Sequence, residues 1–289
     1  MGFGQHQSFY LRSNWITKAI EKLEKENFFS DKDHYLELGI GKNMFSSLKH
    51  WMVATGVAQK KARNQLELSD FGLVLKKYDI NCIKVDSKSI MHYYLCADPD
   101  RAEIWYWFFN VLEGNKFIKE NLFENGLKPW IQGKGKNVSE KTLKKDLDCL
   151  IQVYTNAENL NDPEDTIYSP LASLELMTTI TREDQIIIEK KMGSLASIGE
   201  GALMYILIRH LEENATKMVS VDDLISKENL WGRIFNMNRQ AIIEALNTLS
   251  LNPYNKLYFI RTNDLDTVVC EYKSSKTYLE NYYQRTVGD

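Results

Sequence analysis

The chain is short of several things, and each shortage excludes something. Its four cysteines, Cys82, Cys96, Cys149 and Cys270, stand far apart. None belongs to a Cys-x-x-Cys pair or sits at ligand spacing from a histidine, which argues against zinc and for free thiols in a reducing compartment. No apolar run approaches the ~18 residues of a membrane span. The N-terminus lacks a basic-then-apolar signal. A cytoplasmic protein with no membrane partner is the expectation. There is no overall basic charge either: the net charge is −3 and the pI is near 6.0. That excludes a uniformly basic nucleic-acid coat and leaves room for local basic faces. A phosphate-cradling loop is absent too. In Gly39-Ile40-Gly41-Lys42 a single residue separates the glycines, and Asn43 stands where a metal-binding Ser or Thr is needed.

What is present is an ordinary globular composition. Hydrophobic residues make up 44% and charged residues 26% of 289 residues, enough for two domains or three small modules. Charge is unevenly placed. Residues 1–77 carry 12 Lys and Arg against 8 Asp and Glu, and residues 116–145 carry 8 against 3. Residues 155–190 reverse this, with 2 against 8. Such polarity suits a protein that binds an anion on one side.

Residues 38–51 organise the rest. Met44, Leu48 and Trp51 recur at helical spacing on one face, while Lys42, Asn43, Ser46, Lys49 and His50 fall largely on the others. A helix-like run at 14–28 precedes them, so the pair reads as a helix-turn-helix whose second helix contacts DNA. Lys60, Lys61 and Arg63 then form a polar loop before the alternating strand 65–68, and a helix follows at 73–78. Helix, turn, helix, basic loop and strand is winged-helix order. Upstream, Arg12, Trp15 and Lys18 share a helical face with Asn14 as N-cap. His6 and Arg12 could act on a phosphate, one as acid or base and the other as charge clamp; a solvated lead-in is the plainer alternative.

Helices are expected at 90–97, at 102–110 after the capping turn Asp98-Pro99-Asp100, and at 117–122, with a loop from Pro129. Trp105, Trp107, Phe108 and Phe109 read as aromatic core rather than a base-stacking platform. Residues 132–137, with Lys134 and Lys136, are flexible and basic. They lead to a helix capped near Ser139, with Leu143, Leu147, Leu150 and Ile151 buried and Lys141, Lys144 and Lys145 outward. That is a second helix-turn-helix in outline; a solvated lysine face explains it equally well. Residues 156–163 read as a linker, and 171–177 as a short helix. Helices at 201–211 and 239–249 then precede a hairpin of strands 257–262 and 268–272, winged-helix order again. Its second helix carries Glu244 and few bases, so packing or homodimerisation is its expected role.

The fold expected is therefore mainly α with short β hairpins: tandem winged-helix-like modules joined by helices. The divisions fall at 1–80, 81–160 and 161–289.

Five features occur together in order. They are the opening His6-x-x-Phe9-x-x-Arg12-x-x-Trp15-x-x-Lys18, the stretch 38–44, the stretch 105–110, the stretch 141–146, and the Ser169-Pro170-Leu171 restart. As a set they resemble the SspB-like domain family, formerly of unknown function, found beside single-stranded DNA phosphorothioation genes. The resemblance implies a protein that binds double-stranded DNA and nicks one strand. Sulfur-transfer proteins would then gain access to the backbone: a cysteine desulfurase, an ATPase and an ATP-pyrophosphatase-like enzyme.

The residues themselves support binding better than cleavage. A metal-dependent nuclease using Mg or Mn needs clustered carboxylates. The nearby pairs in the basic stretches, Glu67 with Asp70 and Asp146 with Asp148, lack a Glu-x-Lys companion. A metal-free site could use His6 or His50 with Arg12 and Lys42. A non-catalytic DNA-binding adaptor and a transcriptional regulator are the other readings, the regulator favoured by a dimer on a palindromic site.

Overall fold

A computed structural model of the chain describes residues 2–23, 28–30, 34–62, 65–155, 168–261 and 265–287. The expected linker at 156–163, Arg63, and half of the turn at 263–266 lie outside these.

The N-terminal segment enters helix α1 (Ser13–Lys22), with Arg12 rather than Asn14 at the N-cap and no side-chain cap bond. Trp15, Ile16, Ala19 and Ile20 are its buried stripe. A 3-10 turn, Leu36–Leu38, closes on Gly39 at φ +64°, the left-handed conformation that favours glycine. Gly41 then caps helix α2 (Lys42–Ala54). The stripe of α2 is wider than its spacing foretold: Phe45, Ser47 and Met52 are buried with Leu48 and Trp51, while Met44 is half-buried. Strands β1 (Ala58–Ala62) and β2 (Gln65–Leu68) form an antiparallel hairpin. Lys60 and Lys61 therefore sit on a strand, not in a loop. Ser69 caps helix α3 (Asp70–Tyr78), its hydroxyl accepting from the Gly72 amide at 3.0 Å. Gly72 has to be glycine, because a Cβ there would lie 2.0 Å from the Val57 carbonyl oxygen.

Helices α4 (Val85–Ala97) and α5 (Pro99–Tyr106) meet at Asp98, which caps α5 as expected. A π-helical turn continues α5 through Val111. Trp105, Trp107, Phe108 and Phe109 are all at most 2% exposed, so they are core.

The expected helix at 117–122 begins instead as strand β3 (Lys116–Ile118), followed by one turn, α6 (Lys119–Asn121). Phe117 and Ile118 pair with Ile188 and Ile187 across the sheet, and that tertiary pairing overrides local helical spacing. The expected loop at 129–130 is helix α7 (Lys128–Gly133), where Pro129 occupies the first turn, which needs no amide donor. Helix α8 (Glu140–Thr155) buries Leu143, Leu147 and Leu150 but also Asp146.

After residue 167, a 3-10 turn (Pro170–Leu174) replaces the short helix expected at 171–177. Strands β4 (Met177–Arg182) and β5 (Gln185–Lys190) were not foreseen; β5 is the centre of a sheet ordered β3-β5-β4. Then come α9 (Leu195–Ile198), α10 (Glu200–Glu213), β6 (Met218–Ser220), α11 (Val221–Ser226), α12 (Trp231–Ile234) and α13 (Arg239–Leu251). Strands β7 (Leu257–Ile260) and β8 (Thr267–Cys270) and helix α14 (Ser275–Arg285) complete the chain. The last sheet is ordered β6-β8-β7. The architecture is mainly helical with small antiparallel sheets.

One buried cluster runs from Phe3 to Tyr283 through all the segments. All four cysteines are free and buried. No helix among the described residues is long and apolar enough to cross a membrane.

Candidate nucleic-acid interface and the buried clasp behind it

The segment before α1 is held by polar contacts from two helices, α2 and α8. The Gly4 amide donates to both oxygens of Asp146 at 3.1 and 3.0 Å. His6 Nδ1 accepts from the Ser8 amide at 3.1 Å, so the ring proton sits on Nε2, which donates to Asp146 Oδ1 at 2.7 Å. The Phe9 carbonyl accepts from Trp51 Nε1 at 3.0 Å and Ser47 Oγ at 3.3 Å. Gln7 and Ser8 take left-handed backbone conformations, at φ 51° and 68°, to make the turn.

His6 is 3% exposed, with its ring centroid 6.3 Å from that of Trp51 and 6.5 Å from that of Trp105. His50 packs on Trp51 at 5.4 Å. Burial, then the nearby His6, pushes the His50 pKa down to about 3, so its ring is neutral. The structure therefore brings His6 and His50 together, but around a tryptophan and with His6 fully engaged. Arg12 is half-buried, its guanidinium 5.2 Å from the Trp15 centroid and 5.8 Å from that of Phe9. Its Nε is buried with no partner among the described residues.

The lysines divide into two sets. Lys18, Lys42 and Asn43, with Lys60 and Lys61 on β1, are exposed. Lys141, Lys144 and Lys145 are exposed on α8, with Lys144 5.0 Å from the Phe123 ring. Lys49, Lys134 and Lys136 are committed to the protein. Lys49 donates to the Phe29 carbonyl at 3.2 Å, and burial together with the charge of Lys60 lowers its pKa. Lys136 grips the fully buried Glu103 at 2.7 and 2.6 Å. Lys134 lies 3.6 Å from the same carboxylate and 4.0 Å from the Trp130 ring. Two cations thus neutralise a carboxylate whose burial would otherwise be very costly. Arg63 lies outside the described residues.

Sequence reasoning weighed Asp146 only as a neighbour of Asp148 and missed Glu103 altogether. For Asp146 a signal existed: it falls on the apolar stripe of α8, three residues after Leu143 and four before Leu150. An acid on a buried stripe calls for partners elsewhere. Among the described residues no group of three or more His, Cys, Asp or Glu could hold a metal ion. Magnesium prefers six oxygen ligands, whereas the buried carboxylates of Asp146 and Glu103 are already filled by amide, imidazole and ammonium donors. The described residues do not assemble a magnesium site.

Two solved structures share the fold over the full chain. One, described as "Magnesium ion-bound SspB crystal structure", has a TM-score of 0.84 at 20% identity, covering 100% of this chain and 89% of that one. Another, "SspB crystal structure", has a TM-score of 0.83 at 19% identity with the same coverage. A search of curated proteins found no match. The model of the family described as "Protein of unknown function (DUF4007)" matches residues 3–283. The chain belongs to that family.

Proposed function

We propose that this protein binds duplex DNA within a DNA phosphorothioation system and nicks one strand, opening the backbone to sulfur insertion. The observation that carries the DNA-binding half is the set of exposed cations on α2 and β1. Lys42, Lys60 and Lys61 are exposed, and Lys60 lies close enough to Lys49 to lower its pKa. Lys60 and Lys61, adjacent and with no acidic partner among the described residues, suit a polyanion, whose counterions they displace. Lys18 on α1 and Lys141, Lys144 and Lys145 on α8 are exposed as well.

The order of elements supports a winged-helix reading of both ends. In the C-terminal part it is helix α10, strand β6, helices α11 and α13, then β7 and β8, with β8 central in the sheet. The nicking half rests on the family relationship. In that reading Arg12 clamps a phosphate, neutral His50 accepts a proton, and His6 acts through its bond to Asp146. The three segments 1–80, 81–160 and 161–289, a homodimer, and docking of a cysteine desulfurase, an ATPase and an ATP-pyrophosphatase-like enzyme belong to the same proposal.

A second reading, a non-catalytic DNA-binding adaptor, is favoured by one observation: both His6 ring nitrogens are already bonded inside the protein. A supercoiled-plasmid assay with EDTA, Mg²⁺ and Mn²⁺ in parallel separates the two. Open circles that stop short of linear establish the nickase. Retarded but uncut plasmid under every condition establishes the adaptor.

A further inference from the structure

The buried lysine of β5 is used by nothing described so far. Lys190 is 7% exposed and its Nζ donates to the Leu112 carbonyl at 2.8 Å. Its ammonium lies 4.9 Å from the Phe108 ring centroid and 5.9 Å from that of Phe117. A buried ammonium is costly unless it is paired, and aromatic faces offset only part of that cost. No carboxylate pairs with Lys190 among the described residues. Instead burial, and then the charge of another cation, Arg233 of α12, lower the Lys190 pKa to about 8. Arg233 donates only its Nε, to the Ser226 carbonyl at 3.0 Å, and makes no ion pair among the described residues.

These two cations line a cavity of about 290 Å³ with Gly114, Asn236 and Glu113. Glu113 is exposed, and it forms no ion pair with either cation among the described residues. Asn236 holds the rim at φ 53°, with its side-chain amide donating to the Lys191 carbonyl at 3.0 Å. Two N–H bonds of Lys190 and the terminal nitrogens of Arg233 remain to be satisfied, and both are geometries that suit phosphate oxygens. None of the lysines assigned to the DNA-facing surface lines this cavity.

We propose that the cavity between the 112–115 loop, the end of β5 and α12 is a binding site for a phosphate group, held by Lys190 and Arg233. At about 290 Å³ it lies at the small end for ligand pockets, which suits a phosphate or a terminal phosphate monoester rather than a whole nucleotide. The phosphate could be free in solution or at the end of a nucleic-acid strand. The proposal does not depend on nicking.

The test uses the full chain at constant ionic strength. Binding of inorganic phosphate is measured by calorimetry. Short single-stranded oligonucleotides with a 5′-phosphate or a 5′-hydroxyl are compared in parallel. Lys190→Met keeps the stem against Phe108 and removes the charge. Arg233→Gln, at a half-exposed position, serves if the first variant does not fold. Saturable phosphate binding that weakens about tenfold or more in either variant supports the site. A preference for the 5′-phosphate oligonucleotide, lost in the variant, assigns it to strand ends; binding of inorganic phosphate alone assigns it to the free ion. Absence of phosphate-specific binding, or binding unchanged in a folded variant, overturns it.

Discussion

Residues 13–68 and residues 200–270 both place helices before a β hairpin, yet they present different surfaces and are anchored differently. The second helix of the first unit, α2, and its hairpin expose Lys42, Asn43, Lys60 and Lys61. The corresponding helix of the last unit, α13, exposes Gln240, Glu244, Asn247 and Thr248. Its one arginine, Arg239, is bound to Asp222 and Asp266. The outer face of the last sheet shows Met218 and Tyr258, which flank Val269 in register, with Ile260 beyond them. A shared order of elements is a statement about packing; what each unit can bind is set by the residues left over on its surface. Anchoring differs too. The first unit is tied through polar contacts of the N-terminal segment, above all Asp146. The last is tied to the middle of the chain through His92, whose Nε2 donates to the Ile234 carbonyl at 2.7 Å while Nδ1 accepts from Tyr154 at 2.6 Å.

The largest effect should come from the surface difference. Replacing Lys42, Lys60 and Lys61 together by Ala should weaken duplex binding by roughly a hundredfold at moderate salt. The log–log salt slope should fall by about three, about one for each phosphate no longer neutralised. Arg239→Ala in the last unit should leave binding unchanged. Fluorescence anisotropy across a salt series measures both. Equal losses from the two changes would erase the functional distinction between the units.

The anchoring difference comes next. Asp146→Ala strands the Nε2–H of His6 and the amide of Gly4 in the interior, which should cost about 3 kcal/mol. Urea unfolding gives the magnitude. Hydrogen exchange gives the location, with protection lost around residues 4–12 and in α2 and retained in α13. Uniform loss throughout the chain would mean that the two units do not open separately.

The helical skeleton was legible because its signals are local. The Asp98 cap, the stripe of α8 and the apolar run of α10 all lie within one turn or two of the residues they govern. The sheet ordered β3-β5-β4 was not legible. Residues 116–118 pair with 187–189 across a long loop of sequence, and nothing in Lys-Phe-Ile by itself distinguishes strand from helix. The site was legible in the same uneven way. Exposed lysines on predicted helices were found, because a charge on an outward face needs no partner to explain it. The engagement of Lys134 and Lys136, which read as part of a flexible basic stretch, was not legible, because their partner Glu103 lies some thirty residues away in sequence and is invisible until the chain folds. The same holds for His6, whose role as a clasp appears only beside Asp146.

The smallest effect separates the two anchors by pH. Burial lowers the pKa of His92 to about 4 from an ordinary 6.5. As pH falls through 6.5 the unfolded chain takes up the proton while the folded chain does not. The unfolded state then binds more protons, so stability is full above about pH 6.5 and is lost as pH falls toward 4. One pH unit below 6.5 the loss from His92 should be about 1.4 kcal/mol. His50 contributes in the same direction, since its pKa is lowered to about 3. Because His92 binds the Ile234 carbonyl, mild acid should loosen α12 and the last unit, and His92→Gln should flatten that limb of the stability curve. It should leave the acid sensitivity due to His50, in the first unit, in place. Chemical denaturation from pH 7 to pH 5, with exchange read at α2 and α12, tests this. A His92 that titrates near 6.5 by NMR in the folded protein would remove the pH term and leave the second anchor a plain hydrogen bond.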